Sequence, residues 1–444
     1  MINLEEEREK PVLALLVGRT DDKNLPDAEV VRELASLAET AGLTVAGATV
    51  LRRWEPAPKF GMGSGKAEEI AALAKELEAS EILFDFEVSP TQQRNWEELT
   101  SLSCIDRQEV IIRIFAARAR TREAVLQIEL ARLEYSLPRL AHTYGALSRQ
   151  RGGRYGTKGS GETQLELDRR QTLDRITLIK KELKVVRQDR ATQRKRREKI
   201  PVPSCAIVGY TNVGKSSLLN ALTGAGVLSE DKLFATLDPT TRRFTLPTGR
   251  TVLLTDTVGF IRNLPHSLVD AFHATLEEAA FADAVLLVLD ASDQAIAMQL
   301  ETTREVLGEI GAGSEPVLLV LNKADRLDEF HRARLRDEYP DAVFVSAHTK
   351  EGFEEFTARL DALLSGDERL YRIPASRQEL VAFAHREGSV VSIEYEDDAV
   401  ILRARTQGRL AASLEEFLVP ETGAQSKRDA NPDDGRDGGG TDGR

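Results

Sequence analysis

The sequence predicts a multidomain α/β protein. It has a small α/β N-terminal domain carrying a long helical hairpin, a larger domain with a mostly parallel sheet, and a small α+β C-terminal module. Apolar strand runs alternate with helical spacing over residues 11–105, the pattern of a parallel sheet. Further runs at 251–256, 284–290, 316–321 and 342–346 are apolar throughout, as in a sheet covered on both faces. Two long stretches of helical spacing, over 108–137 and 162–199, flank a glycine- and arginine-rich segment. At 444 residues the chain has room for about three domains.

In order, residues 12–17 read as a strand and 27–41 as a helix, with Val30, Val31, Leu34, Leu37 and Ala38 inward, Asp27 as N-cap and Gly42 as stop. A strand at 43–51, a helix at 67–79, a strand at 81–86 and a helix at 90–99 follow, with Pro90 in the last helix's first turn. Gly61-Met-Gly-Ser-Gly-Lys66 falls short of a phosphate loop, because Ala67 stands where Ser or Thr belongs; a tight turn into a helix suits it better. The spacing over 108–137 ends before Pro138, so residues 139–162 are expected as a basic, glycine-rich loop joining two antiparallel helices. Arg139, His142, Tyr144, Arg149, Arg151, Arg154, Tyr155 and Lys158 lie there, and the second helix ends in Arg187, Arg190, Arg194, Lys195, Arg196, Arg197 and Lys199. A solvated coiled-coil tip is one reading. An RNA probe is the other, with arginine for phosphate and tyrosine for stacking; Arg149, Arg151, Arg154 and Lys158 are its candidate contacts. Residues 365–372 read as a linker, and 377–387 (helix), 389–395 with 399–404 (hairpin) and 410–418 (helix) as the small module. The expected boundaries are 1–107, 108–198, 199–366 and 367–420, with 421–444 too poor in apolar residues to order.

A composition 41% hydrophobic and 30% charged fits a soluble protein, and a net charge of −12 confines any RNA contact to a local basic patch. No apolar run reaches membrane-span length, no signal-peptide pattern appears, and Cys104 and Cys205 stand apart in apolar surroundings. The cytoplasm is the expected location, with peripheral membrane association left open.

The chemistry centres on Gly209-Tyr-Thr-Asn-Val-Gly-Lys-Ser216, between a strand and a helix. Two glycines with four residues between them, followed by Lys-Ser, let backbone N–H groups curl around phosphate oxygens at a helix start. Lys215 reaches the outer phosphates and Ser216 offers a hydroxyl to Mg²⁺. Asp256, closing a strand before Thr257, Val258 and Gly259, can hold Mg²⁺ through water, while the Gly259 N–H can meet a γ-phosphate. Asn322-Lys-Ala-Asp325 closes another strand. An Asp325 carboxylate can take two hydrogen bonds from guanine, which adenine cannot give, and the Lys323 stem can pack on base and ribose. Ser346, Ala347 and His348 end a third strand near the guanine oxygen. These motifs point to GTP and GDP with Mg²⁺. Spacing leaves Thr236, Thr240 and Thr241 open as the threonine that ligates Mg²⁺ with GTP. Phe260 stands where Ras-like enzymes place the water-orienting glutamine, so slow intrinsic hydrolysis to GDP and phosphate is expected.

These motifs, with Phe234-Ala-Thr-Leu-Asp-Pro-Thr240 and Gly159-Ser-Gly-Glu-Thr-Gln-Leu-Glu-Leu-Asp-Arg-Arg170, resemble the HflX family of translational GTPases over roughly residues 10–365. The resemblance implies a P-loop G domain whose nucleotide site includes Tyr210, Thr211, Asn212, Val213, Gly214, Ser217, Phe234, Ala235, Thr236, Leu237, Asp238 and Ala324, and it favours Thr236 among the threonines. It also implies binding to the large ribosomal subunit and its rRNA through the 142–161 loop, stimulation by the ribosome, and splitting of stalled or idle ribosomes under stress. Asn212 matches an asparagine that holds K⁺ in some related GTPases, with simple bracing of the loop as the plainer role. A monomer without DNA contacts is expected. An RNA chaperone or helicase-like remodeller, or a protein-binding signalling switch, are the competing readings; neither an ATPase motif nor the basic loop favours them.

Overall fold

The computed structural model describes residues 12–22, 25–52, 55–150, 160–197, 202–224, 233–262, 279–312, 316–365, 367–387, 389–406, 411 and 413–419. They form two compact units, Met1–Asp361 and Ala362–Arg444.

The first unit opens with β1 (Leu13–Thr20), α1 (Asp27–Thr40), β2 (Thr44–Arg52), α2 (Ser64–Glu76), β3 (Glu81–Phe84), α3 (Pro90–Thr100) and β4 (Ser103–Asp106). The four strands pair in the order β2-β1-β3-β4, all parallel. Leu15, Val17, Ile82 and Phe84 are buried with Ile70 of α2 and Trp96 of α3 in one core. Trp96 donates its indole N–H to the Phe60 carbonyl at 3.0 Å, so the large ring is buried with its polar atom satisfied. α3 begins with a full capping box between Ser89 and Gln92, with Pro90 at its first turn.

The first long helix differs from expectation at both ends. Residues 108–137 do not form one helix: α4 (Arg107–Arg118) stops at Ala119, and α5 (Arg122–Gln150) starts anew, capped by Thr121, whose hydroxyl accepts the Ala124 N–H at 3.2 Å. Nor does α5 end at Pro138; it runs through it. The loop expected over 139–162 is therefore helical up to Gln150, and α6 (Ser160–Arg197) begins before its far end. Arg139 supplies the reason. Its guanidinium lies 3.5 Å from the Tyr135 ring centre and donates to the carbonyls of Tyr135 and Val88, both at 2.9 Å, and to Gln93 Oε1 at 2.8 Å. Contacts on four sides hold the turn that the missing proline N–H would otherwise loosen. Leu126, Ile179 and Leu183 are buried between α5 and α6, flanked by Glu129–Arg175 and Glu134–Lys180 pairs at 2.8 Å.

A second sheet follows: β5 (Ser204–Gly209), β6 (Thr240–Thr245), β7 (Thr251–Asp256), β8 (Ala284–Asp290), β9 (Val317–Asn322) and β10 (Val343–Phe344), ordered β10-β9-β8-β5-β7-β6. All neighbours are parallel except the β6–β7 hairpin. Every residue of β8 is buried, as a strand inside a covered sheet requires. Its α-helices among the described residues include α7 (Lys215–Thr223), α8 (Ile296–Glu309), α9 (Glu329–Glu338) and α10 (Phe353–Ser365).

In the second unit the expected linker is a strand. β11 (Asp367–Pro374) pairs antiparallel with β13 (Ala399–Thr406), which pairs with β12 (Ser389–Tyr395). Tyr371 and Ile373 bury against Val381 and Ala384 of α11 (Gln378–Glu387) and Leu402 of β13, so β11 is held by its alternating inward face. Of the expected 410–418 helix, Ala411, Ser413 and Leu414 are helical and a 3₁₀ turn follows at Glu415–Phe417, while 410 and 412 lie outside the described residues. Residues 421–444 lie outside the described residues. Among the described residues, no helix is long and apolar enough to cross a membrane.

Candidate nucleotide site

β5 delivers the glycine loop. At Gly214 the chain turns with φ +91, a conformation that glycine adopts freely, and α7 starts at the next residue. Thr211, Asn212, Gly214, Lys215, Ser216, Ser217, Phe234, Ala235, Thr236, Thr257 and Gly259 line one cleft at that helix start. The Lys215 ammonium is buried and donates to the carbonyls of Gly209 (3.1 Å) and Tyr210 (2.7 Å).

Three oxygens meet on the cleft wall. Ser216 Oγ and Thr236 Oγ1 each donate to Asp256 Oδ2 at 2.6 Å and lie 2.8 Å from each other. Asp256 Oδ1 is buried without a hydrogen-bond partner. Hard oxygen donors around an unsatisfied carboxylate fit a small divalent cation such as Mg²⁺. Burial pushes Lys215 down to about 8, with Asp256 opposing, and raises the Asp256 carboxyl, with Lys215 opposing. Both shifts run toward the neutral forms, because desolvation costs each charge more than its neighbour returns. Of the three threonines that spacing left open, Thr236 is the one brought to Ser216 and Asp256. Thr240 and Thr241 lie on β6, where Thr241 Oγ1 meets Thr255 Oγ1 at 2.9 Å.

The second cluster forms at the ends of β9 and β10. Asn322 donates to the Val213 carbonyl at 2.8 Å, and its Oδ1 accepts the Ala347 N–H at 3.1 Å, joining this cluster to the glycine loop. Lys323 bonds the Asn212 carbonyl (2.8 Å) and pairs with Asp290 (2.7 Å). Asp325 is exposed, and the Ser346 hydroxyl beside it holds its carboxyl below the usual range, with His348 adding to the effect. An exposed anionic acceptor beside a buried asparagine can receive paired N–H donors of a planar base.

Family models describing a GTP-binding GTPase N-terminal region, a GTP-binding GTPase middle region and a 50S ribosome-binding GTPase match residues 28–116, 118–197 and 204–323. A GTPase HflX of Akkermansia muciniphila is 46% identical over 433 residues, covering 93% of this chain and 99% of that protein. The chain belongs to the HflX GTPase family. The Escherichia coli GTPase HflX is 44% identical, over 81% of this chain and 84% of that protein. A solved GTP-binding protein of Sulfolobus solfataricus in complex with GDP is 28% identical over 79% of this chain and 98% of that one, with a TM-score of 0.44. As an HflX-family member the chain binds guanine nucleotide and is a GTPase.

Several expected site residues sit outside the cleft. Gly209, Tyr210, Val213, Leu237, Val258 and Ala324 are buried behind it. Tyr210 contributes its carbonyl to Lys215, while its hydroxyl donates to Glu33 of α1 and accepts the Arg262 N–H at 2.8 Å. Arg107 joins Glu33 to Asp85 (2.7 Å), and Arg262 reaches Asp85 at 3.3 Å. Asp238 is turned to the start of α5, where Thr121 Oγ1 donates to it at 2.6 Å. Phe260 is buried, and its backbone bridges Gly209 and Thr211 at 3.0 and 2.8 Å, so its ring packs and orients no water. Arg151, Arg154 and Lys158 lie outside the described residues, and Arg149 lies in the last turn of α5. Sequence reasoning missed Asp290, although it closes an apolar strand as Asp256 does. It also missed Glu33, Asp85 and Arg107, whose approach to the glycine loop leaves no trace in local pattern.

Proposed function

We propose that this GTPase uses Mg²⁺, binds the large ribosomal subunit and dissociates stalled or idle ribosomes under stress. The carrying observation is the Ser216–Thr236–Asp256 oxygen cluster beside a buried Lys215. In this reading Ser216 and Thr236 ligate the ion, Asp256 holds it through water, Lys215 contacts the outer phosphates, and the Gly259 N–H meets the γ-phosphate. The ion supplies charge to the β- and γ-phosphate oxygens. Asn322, Lys323, Asp325, Ser346, Ala347 and His348 form the guanine side. Since Phe260 packs, no side chain at that position orients water, and the ribosome completes the geometry. Family likeness and the 50S ribosome-binding description of the model over 204–323 support ribosome binding, with Arg149, Arg151, Arg154 and Lys158 meeting rRNA. A monomeric, cytoplasmic factor with a G domain at 199–366 is part of the same reading.

The Asp325→Asn variant tests the base site: GTP affinity should fall by about a hundredfold or more, as two charge-assisted bonds are weakened, while XTP binding rises. Retained GTP affinity places the base elsewhere. Co-sedimentation with 50S subunits should be stronger with a GTP analogue than with GDP; equal binding in both states removes nucleotide control. We also propose that Asn212 holds K⁺ beside the phosphates, offsetting charge on the bridging oxygen. Basal turnover should then be faster in K⁺ than in Na⁺ at equal ionic strength, and equal rates leave Asn212 as a brace.

A further inference from the structure

We propose that the α4–α5 joint is a clamp on residues 234–238 that positions Thr236 for hydrolysis and makes the start of the helical hairpin a reporter of the nucleotide. The proposal rests on the reading of Thr236 as a Mg²⁺ ligand and extends it to a regulatory contact from the N-terminal half.

The segment is pinned on both sides of Thr236. On one side stands Phe234, whose φ is +56. A bulky L-residue keeps such a backbone only where its surroundings over-determine it. Here the ring is buried edge-on against Phe115 of α4, centroids 4.5 Å apart, and the Arg118 guanidinium donates to the Phe234 carbonyl. On the other side stands Asp238. Its carboxylate accepts the Thr121 hydroxyl at 2.6 Å and the N–H groups of Thr121 at 3.2 Å and Arg120 at 3.4 Å. Thr121 is itself the residue that caps α5.

An anion at the first amides of a helix satisfies donors that the helix cannot, and it meets the positive end of the helix dipole. The start of a 29-residue helix is thus completed by a carboxylate two residues from Thr236. Thr236 cannot leave Ser216 and Asp256 by more than side-chain rotation unless the Phe234 or the Asp238 anchor gives. Conversely, when 234–238 withdraws, the Arg120 and Thr121 amides and the capping Thr121 hydroxyl, just before the first turn of α5, lose their acceptor. The cleft and the hairpin are therefore coupled through one short segment, with α4 and Thr121 as positioning elements that touch no nucleotide.

The test uses the full chain and compares the parent with Thr121→Val, Thr121→Ser, Phe115→Leu and Thr236→Ala. Phosphate release gives kcat, and fluorescent GDP and a non-hydrolysable GTP analogue give affinities. Thr121→Val and Phe115→Leu should lower kcat by about tenfold and weaken analogue binding, with GDP affinity within about twofold of the parent, because loss of a positioning bond acts only where the segment is engaged. Thr121→Ser, which keeps the hydroxyl, should restore parental kcat. A merely structural role would lower GDP and analogue affinity together. Thr121 is exposed, so its valine variant folds even where Phe115→Leu does not. Parental kcat in Thr121→Val overturns the clamp provided that Thr236→Ala is inactive. Parental turnover in Thr236→Ala removes the reading of Thr236 and the clamp with it. Hydrogen exchange at residues 120–124 should be slower with the analogue than with GDP, and equal exchange overturns the reporter role.

Discussion

Gly259 shows how tightly the cleft is drawn. A Cβ there would stand 2.8 Å from Thr211 Cγ2, 2.9 Å from Thr211 Cα and 3.0 Å from Lys215 Nζ. The backbone of the 256–260 segment touches the glycine loop with no room for a methyl group, and the proposed contact of the Gly259 N–H with the γ-phosphate depends on that closeness. Gly259→Ala should therefore cut GTP turnover by about a hundredfold or more, a displacement of reacting groups near 1 Å being enough, while GDP still binds. Phosphate release and GDP titration check this, and parental turnover would show that the segment moves without cost. The cysteines show the opposite situation. Burial pushes the Cys104 thiol up to about 12 and raises Cys205 as well, so both stay protonated and inert at neutral pH. Iodoacetamide at pH 8 should label neither in the folded protein and both in denaturant.

Among the elements, α5 carries the largest departure from expectation. Proline reads as a helix stop because it removes a backbone donor and crowds the preceding turn. Here Arg139 bonds the Tyr135 carbonyl and ties the helix to Val88, Gln93 and Asp106 of the N-terminal domain. Arg139→Ala should destabilise the first unit by about 2 kcal/mol, the scale of two net hydrogen bonds plus a cation–π contact. Thermal unfolding followed by circular dichroism should show a lower Tm, and an unchanged Tm would leave the helix through Pro138 without its support. The Glu129–Arg175 and Glu134–Lys180 pairs are different. Their side chains are substantially exposed, and such solvent-screened pairs contribute little. The Leu126, Ile179 and Leu183 contact is what holds α5 against α6.

For the whole molecule, a net charge of −12 means that the proposed rRNA contact must come from a local basic patch. Reversal of Arg149, Arg151 and Arg154 to glutamate should weaken binding to the large subunit and leave GTP affinity in the free protein unchanged. The parental advantage should shrink as salt rises, since phosphate contacts release counterions. Co-sedimentation across a salt series reads both, and unchanged binding at moderate salt would move the contact to the basic residues of 187–199.

Most strands of the two mainly parallel sheets and the helices beside the first were legible because burial on one face or two imposes periods of 2 and 3.6 on a chain, while the short β4 and the exposed β6 went unread; the nucleotide motifs were legible because phosphate, metal and base each demand particular groups at strand ends. Length, charge and the two isolated cysteines were legible for the same local reason. What lay beyond the sequence were events between distant segments. Spacing left three threonines open and resemblance alone favoured Thr236; it meets Ser216 and Asp256 because β6 begins at Thr240 and commits Thr240 and Thr241 to a hairpin. The helix crosses Pro138 because α3 and β4 place partners around Arg139. Residues 367–374 become a strand because β13 offers them an unpaired edge. Above all, Glu33 on Tyr210 and Thr121 on Asp238 join residues 177 and 117 positions apart. No periodicity records such a meeting: the sequence sets which groups each segment presents, and packing alone decides which of them come face to face.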